Sequence, residues 1–209
     1  MSGALRMPLA SVVLVHLVLS VTACDDGGPV DPTPGDPTEE SFFFEDGMEG
    51  WEAVAIDTLN PPIDWRVEHT AERARSKTGS VELYLENLND QGKIWMERAF
   101  ELEPGVEYDV EIAFAFSTAD WGDVNLFRII AGAHESPPRD HEALVYQDET
   151  GHGQGSDAGH VWLEKEYELT LVAPEDGMVL VAIGVWGSWE TARTYYVDEV
   201  FLRFTPRTS

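Results

Sequence analysis

Apolar and polar side chains alternate with a period of two residues through most of the segment from Ser41 to Thr205, and this constrains the fold most strongly. The run Val106–Phe116 is the clearest case, because an apolar side chain stands at every second position. Such a run predicts a strand with one buried face, formed by Val106, Tyr108, Val110, Ile112, Phe114 and Phe116. No long stretch has the 3.6-residue period of an amphipathic helix. We therefore predict an all-β fold.

Runs of this kind, rich in β-branched and aromatic residues, predict eleven short strands. They are Phe42–Glu45, Trp51–Ile56, Trp65–His69, Ser80–Glu86, Ile94–Leu102, Val106–Phe116, Val124–Ala131, Ala143–Gln147, Val161–Val172, Met178–Trp186 and Thr194–Phe204. Eleven strands in one segment of this size indicate a two-sheet antiparallel β-sandwich. Turns rich in proline and glycine at Glu103–Gly105 and Ala173–Gly177 predict hairpins between the strands that flank them.

The first 23 residues have the pattern of a secretory signal: a short basic start, an apolar run and small residues at the end. The apolar run, Pro8 to Val21, is shorter than the roughly 20 residues that a membrane-spanning helix needs. The sequence Val21-Thr22-Ala23-Cys24 resembles the lipobox of bacterial lipoproteins. This resemblance implies cleavage before Cys24 and attachment of the lipid to that residue, the only cysteine of the chain. The alternative is an ordinary cleaved signal that leaves a spare thiol.

Residues 24–40 contain four prolines, three glycines and six acidic residues, with almost nothing apolar to bury. Such a composition predicts a disordered linker. The segment 41–205 is then the folded domain, and residues 206–209 are a short tail. We expect a protein of the cell envelope, tethered by its lipid to the inner or the outer membrane and making no other contact with the bilayer.

The charge of the chain narrows the range of ligands. Its net charge is −26, and removal of residues 1–23 takes away one arginine and no acid, which makes it −27. So acidic a surface repels phosphate backbones, and we therefore expect no nucleic acid as a partner. Neutral ligands and cations remain.

The order of short motifs resembles the galactose-binding-domain-like jelly rolls, and among them the carbohydrate-binding modules. The matching residues are Phe44-Glu-Asp-Gly47 with Gly50-Trp51, Thr78-Gly-Ser-Val81, Leu102-Glu-Pro-Gly-Val-Glu-Tyr108 and Tyr195-Tyr-Val-Asp-Glu-Val200. Together they extend over nearly all of residues 41–205. The resemblance implies a jelly-roll fold.

In many such modules a structural calcium ion lies where the first and last strands meet. The matching positions here imply Glu45 and Asp198 as ligands, with backbone carbonyls completing the oxygen shell that calcium prefers. This chain departs from the pattern in one respect, because Ser41-Phe-Phe-Phe44 replaces the asparagine–glycine pair often found before the first acid. The alternative is that the two acids face water or cap a turn.

A sugar site needs aromatic faces for the apolar side of a pyranose ring and polar groups for its hydroxyls. Trp121 and Trp189 lie in predicted loops, and Trp186 ends a predicted strand. The polar residues near them in sequence are Asp120, Asp123, Glu190 and Arg193. We take these seven residues as candidate ligand contacts. Packing of the tryptophans within the loops is the alternative.

The sequence contains none of the common catalytic motifs, such as a G-x-S-x-G elbow, an H-E-x-x-H helix or a P-loop. We therefore expect a non-catalytic, lipid-anchored module that binds carbohydrate. The alternative is a structural or assembly protein of the envelope that binds another protein through the sandwich. An apolar patch on a sheet face would favour that alternative, whereas a tryptophan-lined groove would favour sugar binding.

Overall fold

The structure is a computed structural model that describes residues 35–119, 127–149 and 160–207. Within these residues every regular element is a β-strand. The strands are β1 (Thr38–Phe42), β2 (Glu52–Ile56), β3 (Trp65–Thr70), β4 (Ser80–Leu85), β5 (Lys93–Glu101), β6 (Glu107–Thr118), β7 (Phe127–His134), β8 (Tyr146–Glu149), β9 (Val161–Val172), β10 (Met178–Gly187) and β11 (Arg193–Pro206). Over the same residues, no helix is long and apolar enough to cross a bilayer.

The strands form two antiparallel sheets. The six-stranded sheet has the order β3-β4-β11-β6-β9, and β1 pairs with the C-terminal half of β11. The five-stranded sheet has the order β2-β5-β10-β7-β8. Most consecutive strands lie in different sheets, so the chain passes repeatedly from one layer to the other. This confirms the predicted two-sheet antiparallel β-sandwich of the jelly-roll type.

The main core lies between the two sheets. The face predicted for the run beginning at Val106 is confirmed: Tyr108, Val110, Ile112, Phe114 and Phe116 are buried, and Val106 packs against them from the edge. Burial of apolar surface contributes about 25 cal/mol per Å², so this layer is the main source of stability. A second, smaller apolar cluster lies on the outer face of the five-stranded sheet and contains Trp95, Ile130, Leu144 and Ala182.

The two predicted hairpins are wrong. The turn at Glu103–Gly105 joins β5 of the five-stranded sheet to β6 of the other, and the turn at Ala173–Gly177 joins β9 to β10 in the same way. The two turns instead bond to each other, since Leu102 N donates to Gly177 O and Gly105 N donates to Ala173 O, both at 2.9 Å. Turn chemistry predicts where a chain reverses, but not which strand it pairs with next.

The first strand also differs from its prediction. β1 begins at Thr38, inside the segment predicted as linker, and ends at Phe42. Its backbone pairs with β11, from Thr38 opposite Phe204 to Phe42 opposite Val200. Because backbone hydrogen bonds need no apolar side chain, composition alone does not reveal such an edge strand.

Candidate functional site

The row of side chains at one end of the five-stranded sheet contains Trp186. Ile56, Lys93, Trp186 and Arg128 lie opposite one another on four neighbouring strands, and so they share the outer face. Lys93 is almost fully buried, and its Nζ forms an ion pair of 2.6 Å with Asp57 and lies 5.1 Å from the Trp186 ring. The Arg128 guanidinium lies 5.8 Å from the same ring. Trp186 is thus flanked by two cations on a half-buried surface.

Three rings meet at this point and are called here the Trp186 cluster: Trp186, Tyr146 and His141. The ring centroids of Tyr146 and Trp186 are 5.3 Å apart, and His141 lies 5.0 Å from each of them. Tyr146 Oη and His141 Nδ1 are hydrogen bonded at 2.8 Å. Burial raises the pKa of the Tyr146 phenol, and the negative charge of Asp57 raises it further, so this hydroxyl keeps its proton at physiological pH.

The connection between β7 and β8, residues 135–145, lies against the outer face of the five-stranded sheet. Its Leu144 is buried against Trp95, Ile130 and Ala182. A Cβ placed on Gly132 would lie 2.6 Å from Cβ of Val145, so only glycine allows the connection to approach this closely. We call this segment the 135–145 loop.

An ion pair fastens the 135–145 loop to the sheet. Arg139 Nη1 and Nη2 donate to the two carboxylate oxygens of Glu97 at 2.8 and 2.6 Å, and Trp95 Nε1 donates to Glu97 at 3.1 Å. Burial raises the pKa of the Glu97 carboxyl, but these hydrogen bonds outweigh it and hold the pKa below its ordinary value. Burial lowers the pKa of the nearby His134, so this imidazole is neutral at pH 7.

Trp189 lies in the turn after β10 with 56% of its surface exposed. Its backbone is held in place, because its carbonyl oxygen accepts hydrogen bonds from Asn87 Nδ2 at 2.7 Å and from Thr191 N at 2.8 Å. The Trp189 ring is therefore exposed to solvent, while hydrogen bonds hold its backbone in place. The exposure agrees with the loop position predicted for Trp189.

The other candidate contacts predicted from sequence are only partly described. Glu190 is exposed beside Trp189. Arg193 donates through Nη1 to the carbonyl of Ala119 at 2.6 Å and so joins the start of β11 to the end of β6. Trp121, Asp120 and Asp123 lie outside the described residues, and so does Cys24.

Four residues of this region were missed by the sequence predictions: Tyr146, His141, Lys93 and Arg128. Tyr146 was placed in a predicted strand, but its face and its neighbours depend on the register between β7 and β8. His141 lies in an irregular segment without a motif. An alternating pattern states which residues share a face within one strand, and it contains no information on the neighbouring strand.

The two predicted calcium ligands both contact the connection between β3 and β4. Asp198 is fully buried, and its carboxylate accepts hydrogen bonds from Arg75 N at 2.8 Å and from Ser76 N at 3.0 Å. Glu45 Oε2 accepts from Thr78 Oγ1 at 2.7 Å. Asp198 stands next to a bulge in β11, where the pairing register with β6 shifts. The structure therefore brings the two acids to the same segment.

Comparison with known proteins gives a likeness of fold. The K3 cleaved adhesin domain of Lys-gingipain from Porphyromonas gingivalis W83 has a TM-score of 0.50 and 13% identity, covering 79% of this chain and 98% of that one. The CBM22-1 xylan-binding domain of Xyn10C from Paenibacillus barcinonensis has a TM-score of 0.45 and 17% identity, covering 81% and 95%. TmCBM61, solved with β-1,4-galactotriose, has a TM-score of 0.46 and 15% identity, covering 77% and 92%. No family model and no curated protein matches the sequence.

Proposed function

We propose that this chain is a non-catalytic module that binds carbohydrate on the Trp186 cluster and on Trp189. The observation that carries the proposal is the contact of Trp186, Tyr146 and His141 on an outer sheet face, at the same end of β10 as the exposed ring of Trp189. Aromatic rings at a surface offer faces on which the apolar side of a sugar ring packs.

The polar groups around the cluster suit a neutral ligand. The buried Lys93 ammonium forms an ion pair with Asp57, so its charge is already balanced and does not require an anionic ligand. The hydroxyl of Tyr146 and the exposed carboxylate of Glu190 are groups that exchange hydrogen bonds with sugar hydroxyls. Sugars without charged groups need no opposite charge, which is compatible with a chain of net charge −26.

The alternative of a protein partner bound through a sheet face receives less support. The outer face of the six-stranded sheet carries ion pairs, among them Arg203 with Glu39 at 2.7 Å and Arg207 with Asp109 at 2.8 Å. Part of the other outer face is covered by the 135–145 loop. Interfaces for proteins have cores depleted in charge, and a face lined by ion pairs does not fit that description.

A glycan array tests the proposal. The protein for this test is residues 25–209, which contain every described strand of both sheets but lack Cys24, the residue expected to carry lipid. The array should include oligomers of xylose and of β-1,4-linked galactose, the sugars named for two of the similar structures. Trp186→Ala and Trp189→Ala are each expected to lower the binding by about tenfold, which corresponds to 1.4 kcal/mol.

The matched control is Phe43→Ala, because Phe43 is also an exposed aromatic residue, at 44%, but lies outside the Trp186 cluster. This variant should bind as the unmodified protein does. The carbohydrate proposal fails if a folded protein binds no glycan, or if Phe43→Ala weakens binding as much as the two tryptophan variants do.

We also propose that the mature chain is attached to a membrane of the cell envelope through lipid on Cys24. Two or three acyl chains hold a protein on a bilayer, since each buried CH₂ contributes roughly 0.8 kcal/mol. In a bacterial host, labelled palmitate should be incorporated into the full chain and not into its Cys24→Ser variant. Equal labelling of the two would contradict the proposal.

The calcium ligands Glu45 and Asp198 remain a separate proposal. Glu45 Oε1 is buried and has no hydrogen-bond partner among the described residues, so one oxygen is free for a cation. The same residues contain no group of three or more acidic, histidine or cysteine side chains that could hold a metal, so backbone carbonyls would have to complete the shell. Calcium bound there would link the β1–β2 connection to β11. A thermal shift with calcium that a chelator reverses and Glu45→Gln abolishes would support this site, and no shift would refute it.

A further inference from the structure

Within the part of the chain that the structure describes, the 135–145 loop bounds the Trp186 cluster on one side. Along β10, Trp186 is followed by the turn that contains the exposed Trp189, whereas in the other direction the next outward positions are Gly184 and Ala182. Ala182 is already buried beneath Leu144 of the 135–145 loop. Among the residues that the structure describes, a ligand lying on Trp186 therefore has the exposed Trp189 beyond the end of β10 and the 135–145 loop in the opposite direction.

The boundary is well anchored. Leu144 is buried on Trp95, Val145 lies against Gly132, and Arg139 forms two hydrogen bonds with Glu97. Trp95 stands in the next row of the sheet after Lys93, about 7 Å further along the strand. Its ring is fully buried and hence unavailable to a ligand. The same loop contributes His141 to the Trp186 cluster. The 135–145 loop therefore supplies one residue of the site and also limits how far the site extends along the sheet.

We propose that the site accepts the end of a glycan chain or a short oligosaccharide, and that the 135–145 loop excludes internal segments of a long polysaccharide. This rests on the carbohydrate binding proposed above. The sugar chain extends from Trp186 past Trp189 into solvent, and its terminal unit contacts His141. An internal segment that follows β10 would have to continue over Ala182 and Trp95, where Leu144 already lies.

The test is an array on which each glycan is present as a series from one to six sugar units, attached in turn through its reducing and its non-reducing end. For a site that binds chain ends, the signal should stop rising by three units. It should also differ by about tenfold between the two attachments, which corresponds to 1.4 kcal/mol. A signal that still rises tenfold from three to six units and is equal for both attachments would overturn the inference while leaving carbohydrate binding intact.

Variants of the 135–145 loop test whether this loop limits the length of the bound glycan. Replacing residues 136–144 by Gly-Ser-Gly-Ser removes Leu144 and Arg139 together with His141. The loss of His141 should weaken binding overall, but the binding that remains should increase from three to six units. Because this variant also uncovers the buried ring of Trp95 and so lowers the stability, Arg139→Ala is the second variant, and it should shift the length dependence in the same direction. Arg203→Ala, which breaks an ion pair on the opposite outer face, is the control. If neither loop variant changes the length dependence, the 135–145 loop is not the boundary. Absence of binding to every series would overturn both proposals together.

Discussion

Arg139 and Glu97 form a two-point ion pair, with nitrogen–oxygen distances of 2.8 and 2.6 Å, that holds the 135–145 loop on the outer face of the five-stranded sheet. The Glu97 side chain is only 6% exposed, whereas that of Arg139 is 50% exposed. The burial of the acid makes the arginine important, because a buried carboxylate that loses its partner is left with an uncompensated charge.

We predict that Arg139→Ala lowers the free energy of unfolding by about 2 kcal/mol. The control is Arg203→Ala, which removes solvent-exposed ion pairs with Glu39 and Glu111 and should lower the stability clearly less than Arg139→Ala does. Urea unfolding of the two variants gives the comparison. If both variants lose the same small amount of stability, the buried Glu97 carboxylate does not need Arg139 as its partner.

Trp95 should contribute to stability and not to glycan binding, whereas Trp189 should contribute to glycan binding and not to stability. Trp95→Ala removes a fully buried ring and is expected to cost about 3 to 5 kcal/mol of stability. Trp189→Ala removes an exposed ring and should change stability by no more than about 0.5 kcal/mol, although it weakens glycan binding. Thermal unfolding measures the stability of the two variants, and the glycan array measures their binding. A large loss of stability in Trp189→Ala would indicate that this ring packs within the domain.

Asp198 should stabilise the fold whether or not calcium binds. Its carboxylate accepts hydrogen bonds from the backbone amides of Arg75, Ser76 and Glu199 and from the Ser76 hydroxyl. Asp198→Ala leaves these donors without their acceptor and is expected to cost about 3 kcal/mol or more. As a control, Asp176→Ala removes a single exposed bond to Met178 N and should cost about 1 kcal/mol or less. Denaturation in the presence of a chelator measures both, and equal losses would contradict this role.

His134 should make stability depend on pH. Burial lowers the pKa of its imidazole, against the opposing effects of Glu97 and a hydrogen bond with the Ala143 backbone, so the folded state binds its proton less readily than the unfolded state. Its contribution is therefore fully present above the unfolded pKa of about 6.5 and is lost as pH falls from there towards the folded pKa. Unfolding between pH 7.5 and 5 should show this slope.

His134→Gln should reduce that slope. Part of the slope should remain, since burial also lowers the pKa of His160, with a smaller effect from the positive charge of Arg73. His160→Gln is the matched variant and should remove the remaining part. If His134→Gln has the same pH dependence as the unmodified protein, His134 is not the group responsible.

Much of the fold followed from local sequence patterns. Each of the eleven predicted strands has a counterpart in the structure, and Val161–Val172 has the predicted boundaries. The buried face of β6 was correct because alternation is a property of one strand and needs no knowledge of its neighbours. The local sequence also placed Trp189 in a loop between two strands, and its ring is exposed there. The clearest boundary difference is β1, since pairing of its backbone with β11 leaves little trace in composition.

The sequence by itself determined that the chain forms a β-sandwich, where it turns and which side chains of a strand are buried together. Only the tertiary structure decided that β5 and β6 belong to different sheets, that His141 and Tyr146 meet Trp186, and that Arg139 reaches Glu97 across 42 residues of chain. The physical reason is the range of the interactions. Alternation and turn chemistry act over a few residues, whereas strand order and register depend on contacts between segments far apart in sequence.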